Sequence, residues 1–159
     1  TIESVKGIGT NVYFKIPLTL AIIASMEIRV GDQIYAIPIA NIRESFKAAK
    51  KQLLSDPDGN EMIMIRGACY PIIRLHRIFH IEEARTEITE GILLLVDSGD
   101  RMACLLADEL LGNHQVVVKT LPTFLSRYVA KDVGIAGCTI MGDGSICLIL
   151  DIPGILNKY

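Results

Sequence analysis

Short apolar runs bounded by turn residues recur along the whole chain. The first run alternates apolar and charged side chains from Met26 to Val30, and Gly31-Asp32 separates it from a second run, Ile34–Ile39. Such alternation is typical of a half-buried strand, and a Gly-Asp pair between two runs is typical of a hairpin turn. The pattern therefore predicts a β-hairpin over residues 26–39.

Three further pairs of runs repeat this arrangement. They are Met62–Ile65 with Tyr70–Ile73, Ile92–Val96 with Met102–Ala107, and Cys138–Ile140 with Ser145–Leu150. Val116–Val118 predicts one more short strand. A spacing close to the helical period of 3.6 is confined to residues 42–54, 75–81 and 122–130. The chain is therefore predicted to be mainly β, with few short helices.

The chain also resembles itself at two places, in the same order. Gly31–Ile37, followed by Ile42, aligns with Gly99–Leu105, followed by Leu110, at an offset of 68 positions. In addition, Arg66-Gly67 leading into Pro71–Leu75 resembles Gly142–Gly144 leading into Leu148–Ile152. Each half supplies about four or five short strands, enough for a small closed barrel. We therefore expect two small β-barrels packed together.

Composition and charge argue against several classes of protein. With 159 residues, half of them hydrophobic, the chain can bury roughly two-thirds of its unfolded surface, which excludes disorder. A net charge of −2 without a basic cluster argues against nucleic-acid binding. The apolar runs are too short to span a bilayer, and no signal peptide is evident, so we expect a cytoplasmic protein without direct membrane insertion.

Candidate chemistry in the sequence is sparse. His76 and His80 have the spacing of two ligands on one helical face, but no third ligand is evident, so a surface helix is the preferred interpretation. Asp100 and Asp143 lie beside glycines in predicted turns, where Asp commonly bonds its own backbone. The four cysteines, Cys69, Cys104, Cys138 and Cys147, are widely spaced in apolar segments and are expected to be buried, reduced thiols. No catalytic residue and no metal site is predicted.

Several segments resemble one known family. Gly7–Thr10, followed by Val12–Ile22, resembles the junction between the ATP-binding and regulatory domains of chemotaxis histidine kinases of the CheA family. The downstream segments that resemble the regulatory domain, in the same order and spacing, are Val30–Pro38, Ile65–Gly67, Tyr70–Ile72, Leu111–Lys119 and Ile140–Ser145. The resemblance covers essentially the whole chain. It implies the CheW-like fold, two five-stranded SH3-like β-barrels related by a pseudo-two-fold axis. It also implies that part of residues 42–54 is strand or loop, despite the helical spacing of the apolar positions there.

The resemblance also implies a domain organisation. Residues 1–17 would be the C-terminal remnant of an ATP-binding domain, 18–25 an interdomain linker, and 26–159 the regulatory domain. The two barrels would comprise about 26–80 plus the C-terminal segment, and about 88–145. Gly7, Gly9 and Thr10 would be a residual nucleotide motif without the upstream metal-binding segments. ATP and magnesium would therefore be cofactors of the parent kinase, and the fragment itself would bind no cofactor.

An adaptor that is not itself an enzyme is the function that the resemblance implies. Its expected partners are the coupling protein CheW, the cytoplasmic tips of methyl-accepting chemoreceptors in membrane-anchored arrays, and neighbouring kinase domains of the parent chain. The residues that match partner-contacting positions are, in the first half, Ile39, Ile42, Glu44, Ser45, Arg66 and Gly67, and in the second half Lys119, Leu121, Phe124 and Arg127. Ile42 could equally belong to the core, whereas Phe124 is the expected aromatic anchor, with Lys119 and Arg127 as its charged rim.

Alternative functions can be told apart by particular segments. A free-standing CheW-type coupling protein, or a CheW fused to a receiver domain, would not begin with the end of an ATP-binding domain, so residues 1–17 argue against both. A nucleotide-binding fragment would depend on the Gly7–Thr10 motif alone. The connection 18–23 contains no Gly or Ser, which favours an ordered linker and suggests that receptor state changes the orientation of the neighbouring domain.

Overall fold

Thirteen strands form two large sheets and one separate hairpin in the part of the chain that the structure describes. The computed structural model describes residues 2–5, 7, 9–13, 21–121 and 134–159. The strands are β1 (Ile2–Val5), β2 (Gly9–Val12), β3 (Ile22–Val30), β4 (Gln33–Pro38), β5 (Ile42–Phe46), β6 (Leu53–Ser55), β7 (Glu61–Ile65), β8 (Ala68–Arg74), β9 (Ile92–Asp97), β10 (Met102–Ala107), β11 (Glu109–Val117), β12 (Ile135–Ile140) and β13 (Ile146–Leu150). The helices are α1 (Leu75–Ile78) and α2 (Ile152–Lys158), with 3-10 turns at Ile39–Asn41 and Lys50–Gln52. The prediction of a mainly β chain is confirmed.

All four predicted hairpins are present. Antiparallel pairing joins β3 to β4, β7 to β8, β9 to β10, and β12 to β13. The turns use the residues that the sequence singled out: Gly31, Gly67, Gly99 and Gly144 all have positive φ angles, which glycine adopts at little cost. A fifth hairpin, β1 with β2, lies before the first sheet.

The first large sheet has the strand order β11-β3-β4-β13-β12. Its two outer strands approach each other through an isolated bridge between Lys119, just beyond β11, and Cys138 in β12. The Lys119 N–H donates to the Cys138 carbonyl at 2.8 Å, and the Cys138 N–H donates to the Lys119 carbonyl at 2.9 Å. We call these five strands the first barrel.

The second large sheet has the order β5-β9-β10-β8-β7-β6. Its two edge strands, β5 and β6, are consecutive in the chain and are separated only by residues 47–52. Counted as one interrupted strand, they give this sheet five strands as well, in agreement with the predicted fold. We call it the second barrel.

The strand pairings divide the chain differently from the predicted ranges, which were about 26–80 plus the C-terminal segment, and about 88–145, although the C-terminal strand β13 does join β3 and β4. Strands β3 and β4 pair with β11, β12 and β13, whereas β5 to β8 join β9 and β10. Two parallel pairings link the halves, Ala36 with Ile149 and Cys104 with Ile72. These pairs are equivalent, because Ala36 aligns with Cys104 at the offset of 68, and Ile72 aligns with Ile149 in the second match. Each repeat thus completes the sheet of the other, and the pseudo-two-fold relation is visible in the strand register.

Three apolar clusters follow from the alternation of side chains along the strands. Leu94 and Val96 in β9 face a central cluster shared by both barrels, while Leu93 and Leu95 face the interior of the second barrel. The interior of the first barrel is a smaller cluster around Ala36, Val116, Cys147 and Ile149. The central cluster also contains Ile152, Ile155 and Leu156 of α2, so this helix packs between the barrels.

Some local predictions were wrong. The segment 42–54, which has a helical spacing, forms β5, a 3-10 turn and β6, in agreement with the strand or loop that the resemblance implies for part of it. Residues 22–25 of the predicted linker lie in β3. Helix α1 ends at Ile78, β11 is longer than the predicted strand 116–118, and α2 was not predicted. Cys69 is exposed, whereas the other three cysteines are buried. The predicted helix 122–130 and linker residues 18–20 lie outside the described residues.

Candidate partner-binding surfaces

Four of the predicted contact residues of the first half form one surface. Glu44 and Ser45 lie on edge strand β5, and Arg66 and Gly67 form the turn between β7 and β8. The Arg66 guanidinium, which is 79% exposed, donates to the Glu44 carboxylate at 2.6 Å. Positive φ angles at both Arg66 and Gly67 turn the chain sharply here. The ion pair therefore joins the edge strand to the turn, and we call these four residues the β5 surface.

A β-bulge shapes the beginning of this edge strand. Ile42 lies opposite Val96 and Glu44 opposite Leu95, so Arg43 is an extra residue in the ladder. Arg43 donates to the Asp97 carboxylate at 2.8 Å through Nε. The backbone N–H of Gly99, and then Arg43, lower the pKa of Asp97, so this carboxylate is ionised at neutral pH. Arg43 is thus held beside the β5 surface.

Ile39 and Ile42 lie at the margin of this surface. Ile39 belongs to the 3-10 turn that precedes β5, and both side chains are half-buried. Ile42 packs against the central apolar cluster, so part of its side chain contributes to the core. The sequence left open whether Ile42 belongs to the core or to an interface, and the structure shows that it contacts the core. The role of Ile42 in binding stays a prediction.

The predicted residues of the second half lie on the other barrel. Lys119 is exposed beyond the end of β11, with its backbone bridged to Cys138, and Leu121 is half-buried. Phe124 and Arg127 lie outside the described residues. The structure therefore describes Lys119 and Leu121 alone in this group.

A pocket that the sequence reasoning missed opens in the first barrel, with largely apolar walls and a few polar side chains. Its volume is about 590 Å³, and its walls include Glu27, His114, Val117, Lys119 and Thr139. The Glu27 side chain is only 6% exposed, and its Oε1 lies 3.1 Å from Nδ1 of His114. The alternation in 26–30 gave a signal that could have found this site, because it places Glu27 on the strand face opposite the apolar Ile28 and Met26.

The residual nucleotide motif lies in the first hairpin. Gly9 pairs with Val5, and Thr10 pairs with Ser4 across the β1–β2 ladder. Gly7 is in the turn with φ 82°. The role of these residues in nucleotide binding remains an expectation about the parent protein.

Neither metal nor acid–base chemistry gains support from the candidate residues. His76 is in α1, but His80 lies beyond the end of this helix at φ 55°, so the two imidazoles do not share a helical face. Among the described residues, no group of three or more His, Cys, Asp or Glu side chains could hold a metal ion. Asp143 accepts hydrogen bonds from the Ser145 N–H and Oγ–H, at 2.9 and 2.6 Å, and these lower its pKa. It is a turn residue, and Asp100 likewise accepts from Ser98 Oγ.

The two most buried thiols, those of Cys104 and Cys147, are poor nucleophiles at neutral pH. Burial raises the pKa of Cys104 to about 12, and burial likewise raises that of Cys147 to about 12. Both thiols stay protonated at neutral pH and behave as small apolar side chains. As for membrane insertion, neither described helix is long and apolar enough to cross a bilayer.

Comparison with known proteins supports the fold and the resemblance. Chemotaxis protein CheA of Klebsiella aerogenes and that of Salmonella typhimurium are each 38% identical to this chain over 159 residues, which is 99% of the chain. CheA of Bacillus subtilis is 32% identical over 156 residues. The chain spans only 24%, 23% and 22% of the lengths of these relatives, respectively.

A solved structure and a family model also support the CheW-like fold. The scaffolding protein TtCheW from Thermoanaerobacter tengcongensis matches with a TM-score of 0.68 and 16% identity, covering 89% of this chain and 90% of that one, which shows a common fold. The family model for the CheW-like domain matches residues 25–159. The chain thus belongs to the CheW-like domain family and is homologous to the CheW-like part of chemotaxis protein CheA.

Proposed function

We propose that this chain is the regulatory domain of a chemotaxis histidine kinase and acts as an adaptor without catalysing a reaction itself. Its partners would be the coupling protein CheW and the cytoplasmic tips of chemoreceptors, and it would relay receptor state to the neighbouring kinase domains. ATP and magnesium would act elsewhere in the parent protein. The domain would work in the cytoplasm, at membrane-anchored receptor arrays.

The observation that carries this proposal is the convergence of predicted contact residues at the β5 surface. Glu44 and Arg66 are 22 positions apart in sequence, yet their side chains form an ion pair beside an edge strand. An edge strand offers unpaired backbone groups to a partner, and charged side chains at its rim favour one partner over others. Homology to the CheW-like part of CheA supports the same assignment.

The alternative is a free-standing coupling protein of the CheW type. The family match begins at residue 25, but the similarity to the CheA proteins of Klebsiella aerogenes and Salmonella typhimurium extends over 99% of the chain. Residues before 25 therefore share in the similarity to CheA. This favours a regulatory domain of a kinase over the free-standing protein.

Calorimetric titration with purified CheW from the same organism tests the proposal. We expect Arg66→Glu to weaken binding about tenfold, because it breaks the pair with Glu44 and places two like charges together. Arg77→Glu is the matched control, since Arg77 is also exposed but lies on α1, and it should leave affinity within about twofold.

In the second half, Phe124→Ala should weaken binding about tenfold without lowering the melting temperature.

The outcome decides the proposal in either direction. Absence of CheW binding to the unmodified chain would contradict the adaptor role. Equal effects of Arg66→Glu and Arg77→Glu would remove the β5 surface from the interface. A Phe124→Ala variant that loses stability in proportion to affinity would make Phe124 a core residue.

A further inference from the structure

The two barrels differ in their interiors at equivalent positions. In the second barrel four apolar side chains fill these positions: Leu93, Leu95, Phe46 and Ile63. The register of the strands assigns their counterparts in the first barrel, which are all polar: Ser25, Glu27, His114 and Thr139. The two barrels therefore share the same backbone arrangement but differ in the polarity of the side chains at these four positions.

The strand pairings establish this equivalence. Glu27 lies opposite Ala36 and Gly112, and Leu95 lies opposite Cys104 and Glu44; each pair of counterparts differs by 68 positions. Even the β-bulge is repeated, since the register shifts between Leu110 and Gly112 in β11 as it does between Ile42 and Glu44 in β5. Glu27 and Leu95 thus occupy the same place in two copies of one structure.

Stability does not account for the polar interior. Burying a carboxylate or a hydroxyl costs free energy unless hydrogen bonds replace those lost to water. Among the described residues, Oε1 of Glu27 lies 3.1 Å from Nδ1 of His114, and the buried Ser25 Oγ has no hydrogen-bond partner. In the second barrel, buried leucines occupy the two equivalent positions, 93 and 95. Of the four polar residues, Glu27, His114 and Thr139 line the pocket of the first barrel, where a ligand could reach them.

The pocket in this barrel combines one buried charge with apolar walls. Glu27 lies in it beside Thr139, while Val117, Ile140 and Met141 provide apolar surface. Ile140 is a large exposed apolar side chain. The shape and chemistry match a long basic side chain, whose aliphatic stem packs on apolar surface while its cationic end pairs with a carboxylate.

We propose that this pocket, lined by β3, β11 and β12 of the first barrel, binds an arginine or lysine side chain of a protein partner, with Glu27 as the countercharge. The proposal rests on the adaptor function, since the occupant belongs to another protein. A metal ion fits poorly, because the described residues contain no group of three ligands for it. A phosphate or nucleic acid fits poorly as well, because its charge has the same sign as Glu27. Lys119, also in the pocket wall, suits an acidic residue next to the inserted basic one.

A side-chain analogue tests the pocket without knowledge of the partner. The probe is n-butylguanidinium chloride, with n-butanol as the uncharged control, followed by ¹H–¹⁵N correlation spectra of the uniformly labelled chain. We expect n-butylguanidinium to shift the amide signals of Glu27, His114, Val117 and 139–142, with a dissociation constant on the order of 1–10 mM. n-Butanol should shift them at least tenfold less at the same concentration.

Two variants identify the countercharge. Glu27→Gln keeps the shape and removes the charge, so it should weaken probe binding at least tenfold. Glu109→Gln is the matched control, because Glu109 is an acidic residue at the beginning of β11 that is 55% exposed and pairs with Arg29. It should leave the shifts within about twofold. If Glu27→Gln does not fold, the comparison of the two probes on the unmodified chain still decides whether the pocket binds a cation.

The outcomes separate this inference from the adaptor function. Equal shifts with both probes, or shifts outside the pocket, would overturn the basic-side-chain pocket even if CheW binds. Equal probe binding by Glu27→Gln and the unmodified chain would overturn the role of Glu27. Selective binding of n-butylguanidinium with no affinity for CheW would support the pocket and contradict the proposed partner.

Discussion

Leu95 and Glu27 show how the same place in a barrel accepts opposite chemistry. Leu95 is 4% exposed and belongs to an apolar cluster that includes Ile63, Ile72 and Cys104. Glu27 faces a smaller set of apolar neighbours and has a partly exposed histidine at 3.1 Å. Because the backbone pairing is equivalent in both barrels, the neighbouring side chains determine how much free energy it costs to bury a charge at this position.

Replacing each of these residues separately by the other should have unequal effects on the free energy of unfolding. Leu95→Glu places an unpaired carboxylate in an apolar interior, and we expect it to lower the free energy of unfolding by about 3–5 kcal/mol. Glu27→Leu should change it by less than about 1 kcal/mol, or raise it, because leucine removes a buried charge at a place where the fold accommodates leucine. Urea unfolding of both variants at pH 7 measures the difference. A loss of equal size in both would show that Glu27 is required for folding.

At the level of elements, one ion pair ties together three segments of the second barrel. Arg74, at the end of β8, is 10% exposed and donates to both carboxylate oxygens of Glu61 in β7, at 2.5 and 2.7 Å. Its remaining nitrogen donates to the carbonyl of Thr86 in the following loop. The hydrogen bond from Arg74 is the largest cause that lowers the pKa of Glu61. The pair therefore links protonation of Glu61 to the pairing of β7 and β8.

Acid should remove the contribution of this pair. Because the pKa of Glu61 is lowered in the folded state, its contribution is present above the ordinary glutamate pKa, about 4.3, and is lost as pH falls through the lower folded value. Glu61→Gln should cost about 1–3 kcal/mol at pH 7, with a much smaller difference at pH 3. Urea unfolding at pH 7, 5 and 3 measures this, with Glu109→Gln as an exposed control worth less than about 1 kcal/mol. A difference that stays constant down to pH 3 would contradict the assigned role.

The hairpins could be predicted from the sequence because their turn residues and strands are neighbours in the chain. Strand β5 could not be predicted from the apolar pattern, since Ile42, Phe46 and Leu53 have a nearly helical spacing and the bulge at Arg43 interrupts the alternation of a strand. Glu44 and Arg66 were predicted as contact residues through family resemblance, and their binding role stays a prediction. Glu27 was missed because the alternation over 26–30 predicts that it faces away from Met26 and Ile28 but does not show that this second face is buried as well.

For the whole molecule, the exchange of strands has the largest consequence. The central cluster takes side chains from β3 and β4, from β9 and β10, and from α2, so both repeats contribute to it. Neither repeat alone contains all the strands of either barrel. Such long-range pairing depends on contacts between distant segments, which the local pattern does not specify. The repeats of the sequence are therefore not independent folding units.

Cutting the chain between the repeats tests this arrangement. Residues 1–82 and 83–159, produced separately, should each lack a cooperative unfolding transition, because the parallel pairings of β4 with β13 and of β8 with β10 are missing. Mixed in equal amounts, they should regain β structure by circular dichroism and unfold in one transition. Ile37→Asp in the first piece is the control that should prevent reassembly, since Ile37 is fully buried in the central cluster. A single piece that unfolds cooperatively by itself would contradict the exchanged barrels, because it would show that one repeat closes its own core.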